Sequence, residues 1–382
     1  VLDRYNAFLA RDEDAQGGEG LLAALTVGVK ANIAVKGMPF HAGIGSLEDR
    51  LAQQDAVVVK ALRKEGAAII GILNMEEAAL GAKTNNPHFG PVQNPHRGGY
   101  SPGGSSGGSG AAVAAGLCDV ALGTDTMGSV RIPAAHCGVY GFKPATDRVS
   151  QDGLIPADPK LDAIGPLARD LDALEQTARV ISKFGDGDLE GDGATLIDHG
   201  VEIHQDVLDA YAQAMVALGV EPASATLAHN PSRIRFAGFI ETSKFLAEDL
   251  AGVKVSDHLA KLLTYGPGRK DADWAEDQSI LDETRKRVRA IVESHGFLIL
   301  PTVPNPAFPH SEPEPAAQAD FTCLANIAGL PAISIPAGWT KDGLPIGVQI
   351  LGEAGAESGL FRLARQLDDK LCAYRAPYKG QI

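Results

Sequence analysis

"SPGGSSGGSGAAVAAG", residues 101–116, sets the reading of the chain. Its six glycines put backbone where positive φ or close approach is needed. The tract then runs into small residues of good helix propensity, so it is expected to deliver a helix N-terminus. A phosphate cradle is the first alternative, but neither the GK[ST] ending nor the GxGxxG spacing is present. Gly103 to Gly107 does satisfy GxSxG, the nucleophile elbow of α/β-hydrolases, with Ser105 at its centre. That elbow needs a strand running straight into it, and the preceding "NPHRGGYSP" is full of breakers. A plain linker is the bland reading.

A second hydroxyl stands downstream, in "GTDTMGSVRIPAA" (123–135), where Ser129 follows a glycine in a polar turn. Serine chemistry needs a base. His136 is near in sequence but sits in the apolar "AAHCGVYGF", which suits a packed core histidine. Lys30 in "LTVGVKANIAV" ends an apolar, strand-like run; burial there disfavours the ammonium, and a neutral lysine can take a proton. Alone, Lys30 reads equally as a snorkelling surface lysine. Lys30, Ser105 and Ser129 together give it weight.

Outward from these stretches, short β-rich segments at 25–29, 67–73, 297–301, 331–336 and 345–351 alternate with helical periodicity at 52–64 and 203–219. This predicts an α/β sheet covered by helices. The glycine- and aspartate-rich 185–200 lacks a calcium-loop pattern and is expected to be a solvated loop. The net charge of −14 repels phosphate backbones and anionic membranes, leaving a small-molecule partner, no nucleic acid and no membrane. Four cysteines without CxxC spacing suit buried thiols in a reducing compartment, and no HExxH or similar pattern asks for a metal. Apolar runs are too short for a bilayer, and the start carries no signal-peptide pattern, so a cytoplasmic protein is expected.

The stretches 25–39, 94–117 and 122–146 resemble, in order and spacing, the amidase signature hydrolases, which use a Ser-cisSer-Lys triad; 162–174, 298–310 and 320–352 resemble the family's later segments. The resemblance implies the amidase signature fold, an α/β architecture with a mixed twisted central sheet covered on both faces by helices. It also implies one domain over 1–382, with a signature core at about 20–180, a variable segment at about 185–290 and a C-terminal part at about 291–382. Lys30 lies nearer the start than the family usually places it, which implies that one or two leading helices are absent. Carried over by position, Lys30 is the general base, Ser105 the bridging serine behind a cis bond, Ser129 the nucleophile and Ser106 a loop residue. Backbone N–H groups of Thr126, Met127, Gly128 and Ser129 are the implied oxyanion hole. Met127 stands where the family commonly has glycine and is expected to line the pocket or pack the core. Asp125 and Arg131 are implied ion-pair partners holding the turn, and Thr84, Asn85 and Asn86 are implied on the acyl side of the cleft. The implied activity is a cofactor-free amidase releasing ammonia or a small amine from a carboxamide, with a homodimer allowed. Alternatives are the glutaminase-type subunit of a tRNA-dependent amidotransferase, a urethanase-like enzyme acting on carbamates or esters, and a silent binding protein on the same scaffold.

Overall fold

Every residue of Val120–Asp125 and Ala163–Ala168 is buried, the pattern of strands with both faces covered. Along the first of them Val120 and Leu122 pack into one apolar cluster while Ala121 packs into another, as alternating side chains on opposite faces must. The computed structural model describes residues 3–378, so the ends of the expected 1–382 domain, residues 1–2 and 379–382, lie outside the described residues.

In chain order the strands are β1 (Phe8–Arg11), β2 (Thr26–Lys30), β3 (Ala68–Leu73), β4 (Asn85–Asn86), β5 (Gly90–Pro91), β6 (Val120–Asp125) and β7 (Tyr140–Lys143). They continue with β8 (Ala163–Ala168), β9 (Ala194–Leu196), β10 (Ala223–Ala225), β11 (Phe297–Pro301), β12 (Ala332–Trp339) and β13 (Pro345–Gly352). Eleven of them form one sheet in the order β1-β3-β2-β6-β8-β7-β12-β13-β11-β9-β10, and β4 pairs with β5 apart from it. The sheet is mixed: β2 runs parallel to β3 and β6, whereas β6, β8, β7, β12 and β13 are successively antiparallel. The architecture is α/β, a mixed sheet with helices packed on both faces. Helices Val57–Lys64, Leu171–Ile181 and Glu357–Leu371 pack Leu62, Leu174 and Phe361 into the cluster shared with Val120 and Leu122. Helices Gly107–Ala114 and Arg131–Cys137 pack Val113 and Ala134 into the cluster shared with Ala121. A third cluster lies beneath Pro231–Asp249, Asp271–His295 and Cys323–Ala328, with Ile234, Val288 and Leu324.

Several boundaries differ from the periodic reading. The helix expected at 52–64 begins only at Val57, and that expected at 203–219 runs Gln205–Leu218, closed by Gly219 at φ 78°. The stretch 185–200 is not all loop: Ala194 and Leu196 are buried and form β9, which pairs with β11 and β10 and so extends the sheet. Of the four cysteines, Cys118, Cys137 and Cys323 are buried, but Cys372 is exposed. Among the described residues no helix is long and apolar enough to cross a membrane.

The glycine tract does deliver a helix, and Gly108 shows why it must be glycine. A Cβ there would lie 2.2 Å from the Asn74 carbonyl oxygen, a backbone atom that cannot swing away. Gly108→Ala is therefore expected to lower unfolding free energy by about 1–3 kcal/mol in urea denaturation. Gly98→Ala, where a Cβ meets nothing within 4 Å, should leave the midpoint unchanged.

Candidate active site

Lys30 closes β2, and a strand covered on both faces carries its amine into the interior with 0 % exposure. Nζ lies 2.7 Å from Ser105 Oγ, 2.9 Å from Ser106 Oγ and 2.7 Å from Thr124 Oγ1. Among the described residues no carboxylate pairs with it. Burial pulls the amine down to about 7, outweighing the upward pull of Asp162, Asp125 and Glu76. Three hydroxyls match the three N–H donors of an ammonium. The Ser106 hydroxyl donates to the Thr124 carbonyl at 3.2 Å and can only accept from Lys30. A neutral amine must therefore receive its hydrogen bond from Ser105 or Thr124.

Ser105 follows a cis peptide bond from Gly104 and is fully buried, its carbonyl accepting from Glu76 N at 3.0 Å. Ser106 is not a bystander of the loop, as the family resemblance implied. It stands at the N-cap of helix Gly107–Ala114 and touches Lys30 directly. Thr84 braces the same loop, donating to the Gly103 carbonyl at 2.7 Å and accepting from Gly107 N at 3.1 Å. Asn86 is buried and donates to the Gly43 and Met75 carbonyls, each at 2.9 Å, while Asn85 is exposed on β4. Thr84, Asn85 and Asn86 are therefore corrected: none lines the cleft, because their short polar chains are engaged by backbone or face outward.

Ser129 stands on the turn between β6 and helix Arg131–Cys137, 8 % exposed, and lines a cavity of about 480 Å³. Ser106 N donates to the Ser129 carbonyl at 3.3 Å, which ties the two loops together. Among the described residues no hydrogen bond joins the Ser105 and Ser129 hydroxyls; the geometry unites Lys30 with Ser105 and brings Ser129 alongside through the backbone.

The turn is shaped by Asp125, which with Arg131 forms a fully buried, two-pronged ion pair at 3.0 and 2.9 Å. Burial alone would raise the Asp125 carboxyl, but the Arg131 guanidinium holds it at about 2. Arg131 also donates to Gln349 Oε1 and Asn326 Oδ1, each at 2.7 Å. Asp125 Oδ1 accepts from Gly128 N at 2.7 Å, and Oδ2 from Val130 N at 3.2 Å. This corrects the implied oxyanion hole: the Gly128 N–H points into the carboxylate. The N–H groups of Thr126, Met127 and Ser129 have no acceptor among the described residues.

Met127 is not among the residues with positive φ; the unusual backbone falls on Gly128, φ 132°, where a Cβ would lie 2.2 Å from Thr322 Oγ1. Methionine is thus accommodated one residue before the position that demands glycine. Its side chain both lines the cavity and packs the third cluster, with Gly238 leaving room for its sulfur.

The cavity wall is mostly apolar: Leu80, Ile132, Phe236, Phe239, Leu262 and Tyr265, with Arg235, His258, Glu314 and Gln318 as polar members. Arg235 Nε donates to Asp320 Oδ1 at 2.7 Å, and Glu314 Oε2 accepts from Ala82 N at 3.0 Å. Glu314 also faces Glu76, whose carboxyl burial and that neighbour's charge raise to about 7. Apart from Leu80 and Ile132, these wall residues carry no motif signal, because they come from the variable helices and from the loop before Cys323, which have no fixed spacing. Thr124 had a signal, its place on β6 within the quoted motif. His136 is buried, and burial holds its imidazole down at about 4, a packed core histidine. Among the described residues no three His, Cys, Asp or Glu side chains are placed to hold a metal ion.

Asp125→Ala should leave Arg131 as an unpaired buried charge and cost about 3–5 kcal/mol in urea denaturation, whereas exposed Asp186→Ala should shift the midpoint little.

The family model "Amidase" matches residues 5–190 and 184–361. A glutamyl-tRNA(Gln) amidotransferase subunit from Methanothermobacter thermautotrophicus is 33 % identical over 391 residues, covering 91 % of this chain and 85 % of that protein. The crystal structure of the corresponding glutamyl-tRNA(Gln) amidotransferase subunit from Thermotoga maritima superposes with a TM-score of 0.85 at 27 % identity, over 99 % of this chain and 89 % of that one. One chain of a vestigial protein complex described as revealing the origins of an s-triazine catabolic enzyme superposes with a TM-score of 0.89 at 27 % identity, over 98 % and 93 %.

Proposed function

This chain belongs to the amidase family, and from that premise we propose that it cleaves the C–N bond of a carboxamide through an acyl group carried on Ser129. Ser129 Oγ attacks the carbonyl carbon while its proton passes through the Ser105 hydroxyl to the neutral Lys30 amine. The oxygen that turns negative takes hydrogen bonds from the free N–H groups of Thr126, Met127 and Ser129, each donor of this kind being worth about 2.7–4 kcal/mol. Collapse breaks the C–N bond and the proton returns by the same route to the departing amine. Water then attacks the ester, its proton leaving by Ser105, and the carboxylate departs as Ser129 regains its hydrogen. The observation that carries this reading is Lys30: a buried amine with no carboxylate partner among the described residues, drawn down to about 7, and 2.7 Å from Ser105 Oγ.

For the substrate, the comparisons lend most support to glutamine, with this chain as the glutaminase-type subunit of an amidotransferase, since relatives named as glutamyl-tRNA(Gln) amidotransferase subunits are 33–34 % identical over nine-tenths of the chain or more. On that reading RNA contacts would fall to partner subunits, in keeping with the net charge of −14. A second reading, a free-standing amidase for small carboxamides, is favoured by the largely apolar cavity wall. Ammonia release from L-glutamine and from valeramide, by the chain alone and with the other amidotransferase subunits, decides between them. Under either reading Ser129→Ala should lower turnover at least a thousandfold, and unchanged turnover sinks the assignment.

The pH dependence has a definite sign. A base must be neutral, so kcat/KM should fall as pH drops through about 7, where Lys30 gains a proton, and level off above it. Ser106→Ala removes an acceptor of the ammonium and so weakens the charged form; the acid limb should move to lower pH while the plateau falls by less than tenfold.

A further inference from the structure

Gln318 lines the cavity that holds Ser129, is 1 % exposed, and has neither Oε1 nor Nε2 in a hydrogen bond among the described residues. A buried amide with both ends unspent is costly to the folded chain and is expected only where something else can take the bonds. The other polar wall groups are already engaged or open to solvent. Arg235 is held by Asp320, Glu314 by Ala82 N, Thr242 by the Gly238 carbonyl, and His258 is exposed. Gln318 is also fixed relative to the nucleophile. Its N–H donates to the Pro315 carbonyl, and Asp320 N to the Ala317 carbonyl. Four residues on, Thr322 Oγ1 donates to the Met127 carbonyl at 2.6 Å, and Asn326 Nδ2 donates to the Asp125 carbonyl at 2.7 Å. The segment that carries Gln318 is therefore clamped to the turn that carries Ser129.

We propose that Gln318 recognises a second polar group on the substrate, one that presents a donor and an acceptor together, at a distance from the amide that Ser129 attacks. Nε2 donates to the substrate's acceptor and Oε1 accepts from its donor, so a simple alkyl amide leaves both atoms unpaired. Two sources share this chemistry: a neutral carboxamide or ureide, and the ammonium and carboxylate of an α-amino acid. The inference rests on the reading of Ser129 as nucleophile and names what its substrate carries.

The test is binding to the full chain carrying Ser129→Ala, which removes turnover from the measurement. Three ligands with the same five-carbon chain are titrated by NMR: valeramide, glutaramide and L-glutamine. Glutaramide or L-glutamine is expected to bind at least tenfold tighter than valeramide, the tighter of the two identifying a neutral or an amino-acid partner. Adding Gln318→Met, close in volume but unable to pair, should erase that advantage. A preference that survives Gln318→Met overturns the proposal, as does equal binding of all three ligands. If Gln318→Met fails to fold, Gln318→Asn serves, since shortening the reach should cut the advantage while keeping the amide. Labelling of Ser129 in the unmodified chain by a fluorophosphonate is read separately. Its failure overturns the nucleophile reading and leaves the binding result to judge Gln318.

Discussion

The Asp125–Arg131 pair is the constraint on which the site depends. It is fully buried, so it stands only because each partner finds the other and because each of their side-chain nitrogen and oxygen atoms has a hydrogen-bond partner. Those further bonds run to distant parts of the chain: Gln349 on β13, Asn326 on helix Cys323–Ala328, and the backbone of the turn itself. One ion pair thus joins the early sheet to the late sheet at the point where Ser129 is presented. It also settles the direction of the turn, since the carboxylate draws the Gly128 and Val130 N–H groups inward and leaves those of Thr126, Met127 and Ser129 without an acceptor among the described residues.

The same pair bears on the base. A carboxylate is the ordinary partner of a buried lysine and would keep it charged. Asp162 pulls the Lys30 amine upward most and Asp125 next, the latter with its charge shared with Arg131, but what Lys30 touches directly are three hydroxyls. Burial then outweighs the remaining attraction, and the amine is drawn down to about 7. A lysine ringed by hydroxyls and a carboxylate spent on arginine stand side by side in one arrangement: burial draws the amine down, and Arg131 holds the carboxyl down.

How much of this is legible in the sequence follows from what kind of constraint each residue obeys. The strands at 26–30, 68–73, 297–301 and 345–352 announce themselves because burial on both faces needs continuous apolar runs. Lys30, Ser105 and Ser129 are legible because their motifs combine unusual residue types in one order. Ser106 and Thr124 are less so: a hydroxyl beside the lysine is visible only once a cis loop and a strand are brought together. Strand β9 escapes because three residues within a glycine- and aspartate-rich stretch are too few for a period to show. The walls escape most completely, since Arg235, Phe239, Glu314 and Gln318 meet across more than eighty residues of chain with no spacing to mark them. Thr84 and Asn86 illustrate the converse: position in a motif pointed to the cleft, while their hydrogen bonds go to backbone.

Met127 shows how such a site can vary without losing its backbone. The turn needs one residue at positive φ and one without a side chain against Thr322, and both needs fall on Gly128. The preceding position is therefore free to carry bulk, provided something opposite gives way. Gly238 does so, on a helix that also supplies Arg235, Phe236 and Phe239 to the cavity, and the methionine sulfur lies over it. A flexible thioether at that point fills space beside the nucleophile while its N–H faces the reacting oxygen in the proposed reaction. Backbone and side chain of the one residue thus answer to different neighbours: the backbone of the turn is fixed by Asp125, and the side chain is matched to a helix whose sequence carries no motif. A change of substrate can then be drawn from Met127 and Gly238 together, with the bonds that present Ser129 left as they are.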